Sequence, residues 1–168
     1  MRRIRRIKRT YRKKLTGMSL ADKKKSEDFY KLFKPQLTPR KMLELGVFGG
    51  SYFEGKVKEY PKSWFTKAKL SKTFSVEKNY FRVKAGLSRK HWIDKGWIFK
   101  KDPLGWFQWY CRFSKGRRIP RIDAIQIKRW KNFTRHVSAV RKNCETGDIH
   151  CRRRQRQAIL QWAYDPFI

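Results

Sequence analysis

Residues 105–113 read GWFQWYCRF, five aromatic rings and a cysteine in nine positions. This stretch restricts the fold more than any other, because rings of this size must be buried or find something to stack on. Trp106, Trp109, Tyr110 and Phe113 recur at spacings of three and four, which puts them on one face of a helix, with Phe107 and Cys111 on an adjoining face. A stripe of that kind belongs against a core. A stacking platform for single strands would instead set its rings among basic residues on an exposed surface. Here the basic residues follow the aromatic block, at Arg112, Lys115, Arg117 and Arg118. The expectation is a core wall made of rings, with the turn KGRRIPR presenting charge at its edge.

Helix punctuation recurs around this stretch. Ser19 and Asp22 have capping-box spacing ahead of a helix over 20–33, which Pro35 ends. Thr38 as N-cap, Pro39 at the first helical position and Gly46 beyond the end mark a short helix. VFGGSYFEGK reads as a loop. Pro61 opens a short helix with Trp64 and Phe65, and 72–86 alternates weakly, as a strand or an extended loop. Ser88 and Gly96 bound another helix, and Asp102-Pro103 is read as the start of the aromatic one. A long stripe through Ile122, Ile125, Trp130, Phe133, Val137, Val140 and Cys144 predicts one helix over 121–143. Gly147 then turns the chain. Asp148 caps a last helix that turns Ala158, Ile159, Trp162 and Ala163 to the core, and Pro166 ends it. The predicted class is mainly α, a compact helical single domain with an aromatic-rich core and few or no short strands. Its parts are a basic arm at 1–18, a linker helix at 19–37 and a core domain at 38–168.

Charge bears on function. The chain carries 45 Lys+Arg against 13 Asp+Glu, a formal +32 over 168 residues. Such a charge repels itself unless a polyanion neutralises it, and nucleic acid is the usual polyanion. An anionic membrane surface or an acidic protein lattice would also serve. Residues 1–14 hold nine of the cations and no acid, with Ile4, Ile7, Tyr11 and Leu15 at helical spacing. The run reads as a docked basic helix or a flexible tail, and also as a nuclear or organellar address. No stretch approaches the roughly 20 apolar residues of a membrane span.

GWFQWYCRFSKGRRIPRIDAIQIKRW resembles a helix–turn–helix, with Lys128, Arg129 and Lys131 on a polar face, but the turn is longer than usual. Cys144, His150 and Cys151, joined by Cys111 or His136, offer thiolate and imidazole to zinc. They lack the CxxC spacing, and no metal is expected. A Cys144–Cys151 disulfide across Gly147 is geometrically easier. Three cysteines make no disulfide scaffold, so the leading expectation is reduced thiols in a reducing, intracellular compartment. MLELGVFGGSYF is similar to the glycine-rich loop of S-adenosylmethionine-dependent methyltransferases, with Glu44, Gly46, Gly49 and Gly50 as the matching positions. Thr38-Pro39 argues for a helix where that fold needs a strand. No catalytic set stands out, and no cofactor is expected.

From 38 to 166 the strings GWFQWYCRF…GRR, QIKRWKNFTRH and NC…GD…CRRRQRQAILQWAYDP resemble a family of short, basic, Trp-rich proteins of large DNA viruses, algae and fungi. That family has no established activity, so the resemblance implies no catalytic residue. It admits a virion role, as a minor capsid or inner-shell component touching acidic neighbours or genome. The leading reading is a non-enzymatic polyanion binder that contacts nucleic acid through phosphates. Its candidate residues are Arg2, Arg3, Arg5, Arg6, Lys8 and Arg9 of the arm, Arg117 and Arg118 of the turn, and Arg152, Arg153, Arg154 and Arg156 near the last helix. An assembly protein is the alternative and a methyltransferase-like enzyme the third.

Overall fold

The computed structural model describes residues 29–168. The arm, its six candidate cations and most of the helix expected over 20–33 lie outside the described residues. Within them the molecule is a mainly helical single domain, with one isolated β-bridge, Phe99 to Asp102. The helices are α1 (Pro39–Leu45), α2 (Arg89–Asp94), α3 (Trp106–Ser114), α4 (Pro120–Asn132), α5 (Thr134–Asn143) and α6 (Arg153–Leu160). Short 3-10 turns at Phe48–Gly50, Lys62–Trp64 and Val76–Lys78 punctuate the long connection between α1 and α2.

α3 carries the aromatic stretch, and its rings are the core. Trp109 is 0% exposed, with Trp106, Phe107, Tyr110, Cys111 and Phe113 buried around it. Each polar ring atom on its inner face finds a partner, as buried Trp and Tyr require. Trp109 donates from Nε1 to Asp123 Oδ1 at 2.8 Å, Trp106 to the Gln126 carbonyl at 3.2 Å, and the Tyr110 hydroxyl to the Leu37 carbonyl at 2.6 Å. Phe33 packs edge-on against Tyr110, Phe113 and Trp130. It is a core residue, so the stretch ahead of residue 38 contributes to the domain rather than merely leading into it.

Local punctuation explains α1 and α2. The Thr38 hydroxyl accepts the Lys41 N–H and the Ser88 hydroxyl the His91 N–H, both at 3.2 Å, as N-caps do. Gly46 closes α1 at φ 106, and a Cβ there would sit 2.1 Å from the Lys78 carbonyl oxygen, so no other residue fits.

Three expectations need correction. Asp102 does not cap α3, which begins after Gly105; its carboxylate is buried against two guanidiniums. The helix over 121–143 is two helices, α4 and α5, divided at Phe133. Asp148 does not cap α6 directly. Its Oδ1 accepts from the N–H groups of His150 and Cys151, closing the turn ahead of Arg152, which precedes the helix in a left-handed conformation. The segment 72–86 is an extended loop with the 3-10 turn in it.

The connection between α1 and α2 is held by side-chain amides. Gln157 on α6 accepts the Phe81 N–H at 3.1 Å and donates to the Gly46 carbonyl at 3.1 Å. One turn later Gln161 accepts the Phe48 N–H at 3.2 Å and donates to the Ala85 carbonyl at 3.3 Å. Asn79 accepts the Gly49 N–H and donates to the Val83 carbonyl, both at 2.8 Å. Loops with no ladder of their own thus satisfy their buried backbone groups on amides, as burial demands.

Candidate polyanion-binding surface

The basic residues divide into those that hold the fold and those that face outward. Arg117 forms a bidentate pair with Asp102, 2.7 Å on each arm. Arg112 reaches the same carboxylate at 3.1 Å and grips Glu59 with two further bonds at 2.8 and 3.0 Å. The Arg118 guanidinium lies 3.6 Å from the Phe113 ring centroid and donates to the carbonyls of Phe113 and Arg117. Arg129 donates to the Trp97 carbonyl at 2.7 Å, leaving Lys128 and Lys131 as the exposed cations of that face. The turn KGRRIPR therefore ties α3 to its surroundings, with its two candidate arginines turned inward.

Arg156 is the clearest departure. It is 0% exposed, and its guanidinium donates to four main-chain oxygens, those of Cys151, Asp148, Pro166 and Ile168, at 2.6–2.8 Å. It clamps both ends of the C-terminal segment and, being fully buried, presents no surface to a phosphate. Arg152, Arg153 and Arg154 are exposed, and none has an ion-pair partner among the described residues.

These three arginines sit where helix physics does not ask for them. A helix N-terminus favours acids, and cations there are unfavourable. The first turn of α6 nonetheless has no acid, and it follows directly on Arg152. α5 ends with Arg141 and Lys142 in its last turn, and both are exposed. Cys144 and Cys151 form a disulfide with 5.8 Å between their Cα atoms, which brings the two basic helix ends together. The result is a corner with the cations Arg141, Lys142, Arg152, Arg153 and Arg154, and with the exposed acids Glu145 and Asp148 in the loop between them. Sequence reasoning missed Arg141 and Lys142. The signal that could have found them was the pair of cysteines closing the loop between two cation runs.

The disulfide also corrects the expectation of reduced thiols at 144 and 151. Cys111 alone is a free thiol, buried, and burial pushes its pKa well up, so it is not a poised nucleophile. No cluster of metal-ligating side chains occurs among the described residues.

The glycine-rich loop has a packing explanation. The strand that a methyltransferase loop would follow is instead α1, and Glu44 pairs with Arg40 at 2.8 Å. Gly49 and Gly50 lie at φ 59 and 77, and a Cβ on Gly50 would meet the Lys69 carbonyl oxygen at 2.7 Å. Gly50 lets two backbones approach, and Gly49 makes room for the Phe74 ring.

A cleft of about 520 Å³ opens between α2, the start of α3, the Phe48–Tyr52 stretch, residues 84–88 and Trp162. Its walls are aromatic, and its charged members are Lys84, Arg89 and Glu54, the last two ion-paired. No helix among the described residues is long and apolar enough to cross a membrane. Comparison with protein-family models, with curated proteins and with solved structures gives no match, so the family resemblance rests on the motifs alone.

Proposed function

We propose that the protein binds nucleic acid without sequence preference, through phosphates, and that the basic corner is one of its contact surfaces. The observation that carries this reading is the state of the cations there. Arg141, Lys142 and Arg152–Arg154 lack acidic partners among the described residues, while the buried acids Asp102 and Asp123 are occupied inside the fold. An exposed arginine cluster at the positive end of a helix is a standing cost that a phosphate relieves. The formal +32 supplies the same argument for the whole chain.

The test is a salt titration of binding to unrelated duplexes and single strands. Log affinity should fall linearly with log salt, with a slope of about −0.9 per neutralised duplex phosphate. Replacing Arg152, Arg153 and Arg154 with Gln should flatten the slope and weaken all sequences alike, because phosphate contacts carry no sequence information. Absence of binding at low salt, with tight capture by an acidic protein, would overturn the reading in favour of an assembly role.

A further inference from the structure

The aromatic cleft shares no residue with the basic corner, and its lining is held in place by named contacts. Trp162 lines it, with the Trp106 ring 4.7 Å and the Trp92 ring 5.9 Å away, centroid to centroid. Also in the lining, Phe48 lies 4.6 Å from Tyr52 and 5.2 Å from Phe107. Gln161 fixes both rims, one through the Phe48 N–H and the other through the Ala85 carbonyl. The backbone is strained at two lining residues, Phe48 at φ 52 and Glu54 at φ 49. Arg82, Arg152 and Ala163 share that conformation away from the cleft, so it is the Gln161 bonds that hold the rims. The cavity is therefore preformed, and its volume lies in the range of small-ligand sites.

We infer that this cleft receives an unpaired nucleobase, so that the protein favours single strands over a bare sugar–phosphate chain. The inference rests on the proposed nucleic-acid binding and deepens it. The lining matches the two chemistries of a nucleotide. A base is a flat, uncharged ring system suited to aromatic walls, and stacking of that kind tolerates any base. The phosphates that flank it are anionic, and the mouth carries Lys84 and Arg89, with Glu54 as the lining's acid, already paired to Arg89. Lys84 Nζ lies 6.0 Å from the ring centroid of the half-exposed Phe74, at the entrance. A peptide with an acidic aromatic motif would need a donor-rich floor for its backbone. The side-chain amide closest to that role, Gln161, is already engaged by the rims.

The experiment measures anisotropy with a labelled oligothymidylate and an abasic strand of equal length, at low salt, on the full chain. The oligothymidylate should bind about fivefold to a hundredfold more tightly than the abasic strand, the range that stacking of one base gives. It should also quench tryptophan fluorescence, which the abasic strand should not. Trp92→Ala and Phe74→Ala should each shrink the difference while leaving abasic binding unchanged, and Trp92→Phe should keep most of it. Phe74 is at the mouth and half exposed, so its variant decides the matter if Trp92→Ala fails to fold. Equal affinity for the two strands, or a difference that survives Phe74→Ala, overturns the inference and leaves phosphate binding intact. Failure of both strands to bind overturns the two together.

Discussion

Arg153 and Arg156 lie three residues apart on α6 with opposite surroundings, one exposed and one 0% exposed among four main-chain oxygens. Arg156→Met keeps the length of the side chain but removes every donor. It leaves the oxygens of Cys151, Asp148, Pro166 and Ile168 without their partner, and an unmade buried hydrogen bond costs about 1–3 kcal/mol. The variant should lose at least about 3 kcal/mol in chemical denaturation. Arg153→Gln should change stability by less than about 0.5 kcal/mol, as exposed substitutions do, and weaken nucleic-acid binding. A well-folded Arg156→Met protein with impaired binding would show that the buried position had been misread. The sequence could not separate these two residues. Within the run CRRRQRQ every arginine looks alike, and only the path of the segment 165–168 back over α6 selects one of them for burial.

At the scale of elements, the short strings that begin and end α1 and α2 were legible because their chemistry is local. Thr38 and Ser88 satisfy N–H groups three residues on, whatever the rest of the molecule does. The same string misled at Asp102-Pro103, because guanidiniums from Arg112 and Arg117 compete for the carboxylate. The division between α4 and α5 was hidden for another reason. Phe133 keeps near-helical angles, φ −75 and ψ −12, so the apolar spacing runs through the break. The basic corner was half legible, its cations plain and the bond that joins them not. That bond closes a short loop, with the cysteines seven residues apart. In the chain-entropy account it contributes about 2–3 kcal/mol. Reductant should lower the melting temperature, and a Cys144→Ala/Cys151→Ala double variant should match the reduced protein and no longer respond to reductant. An unchanged melting temperature would mean that α5 and α6 are held by packing alone.

For the whole molecule, fold class followed from aromatic periodicity, whereas the amides that organise the long connection after α1 did not. Glutamine reads as surface, and its partners here lie 76 to 113 residues away. Acid stability draws on Glu59, which Arg112 holds by two hydrogen bonds. Burial alone would raise the Glu59 carboxyl, but the Arg112 hydrogen bond, the Tyr60 hydroxyl and the nearby charges of Arg112 and Lys115 hold it below its ordinary 4.5. Protons thus bind the unfolded chain more readily at this site. The contribution is complete above about pH 4.5 and is lost as pH falls through the folded-state value. Asp123 has the opposite sign. Burial pushes its carboxyl up, against the pull of Trp109, the Ile119 N–H and Tyr30, so the folded form takes up that proton first. Glu59→Gln should therefore flatten the acid-side decline in melting temperature and leave neutral pH less stable than the parent; a parallel downward shift at every pH would remove Glu59 from the acid response. The amide clamps have a consequence for how the chain is made. Synthesis is vectorial, and the connection after α1 is complete long before residues 157 and 161 exist. Until they do, the N–H groups of Phe48 and Phe81 and the carbonyl of Ala85 lack the amide partners they have in the finished fold, so this half of the domain is unlocked until the helix that will hold it is made.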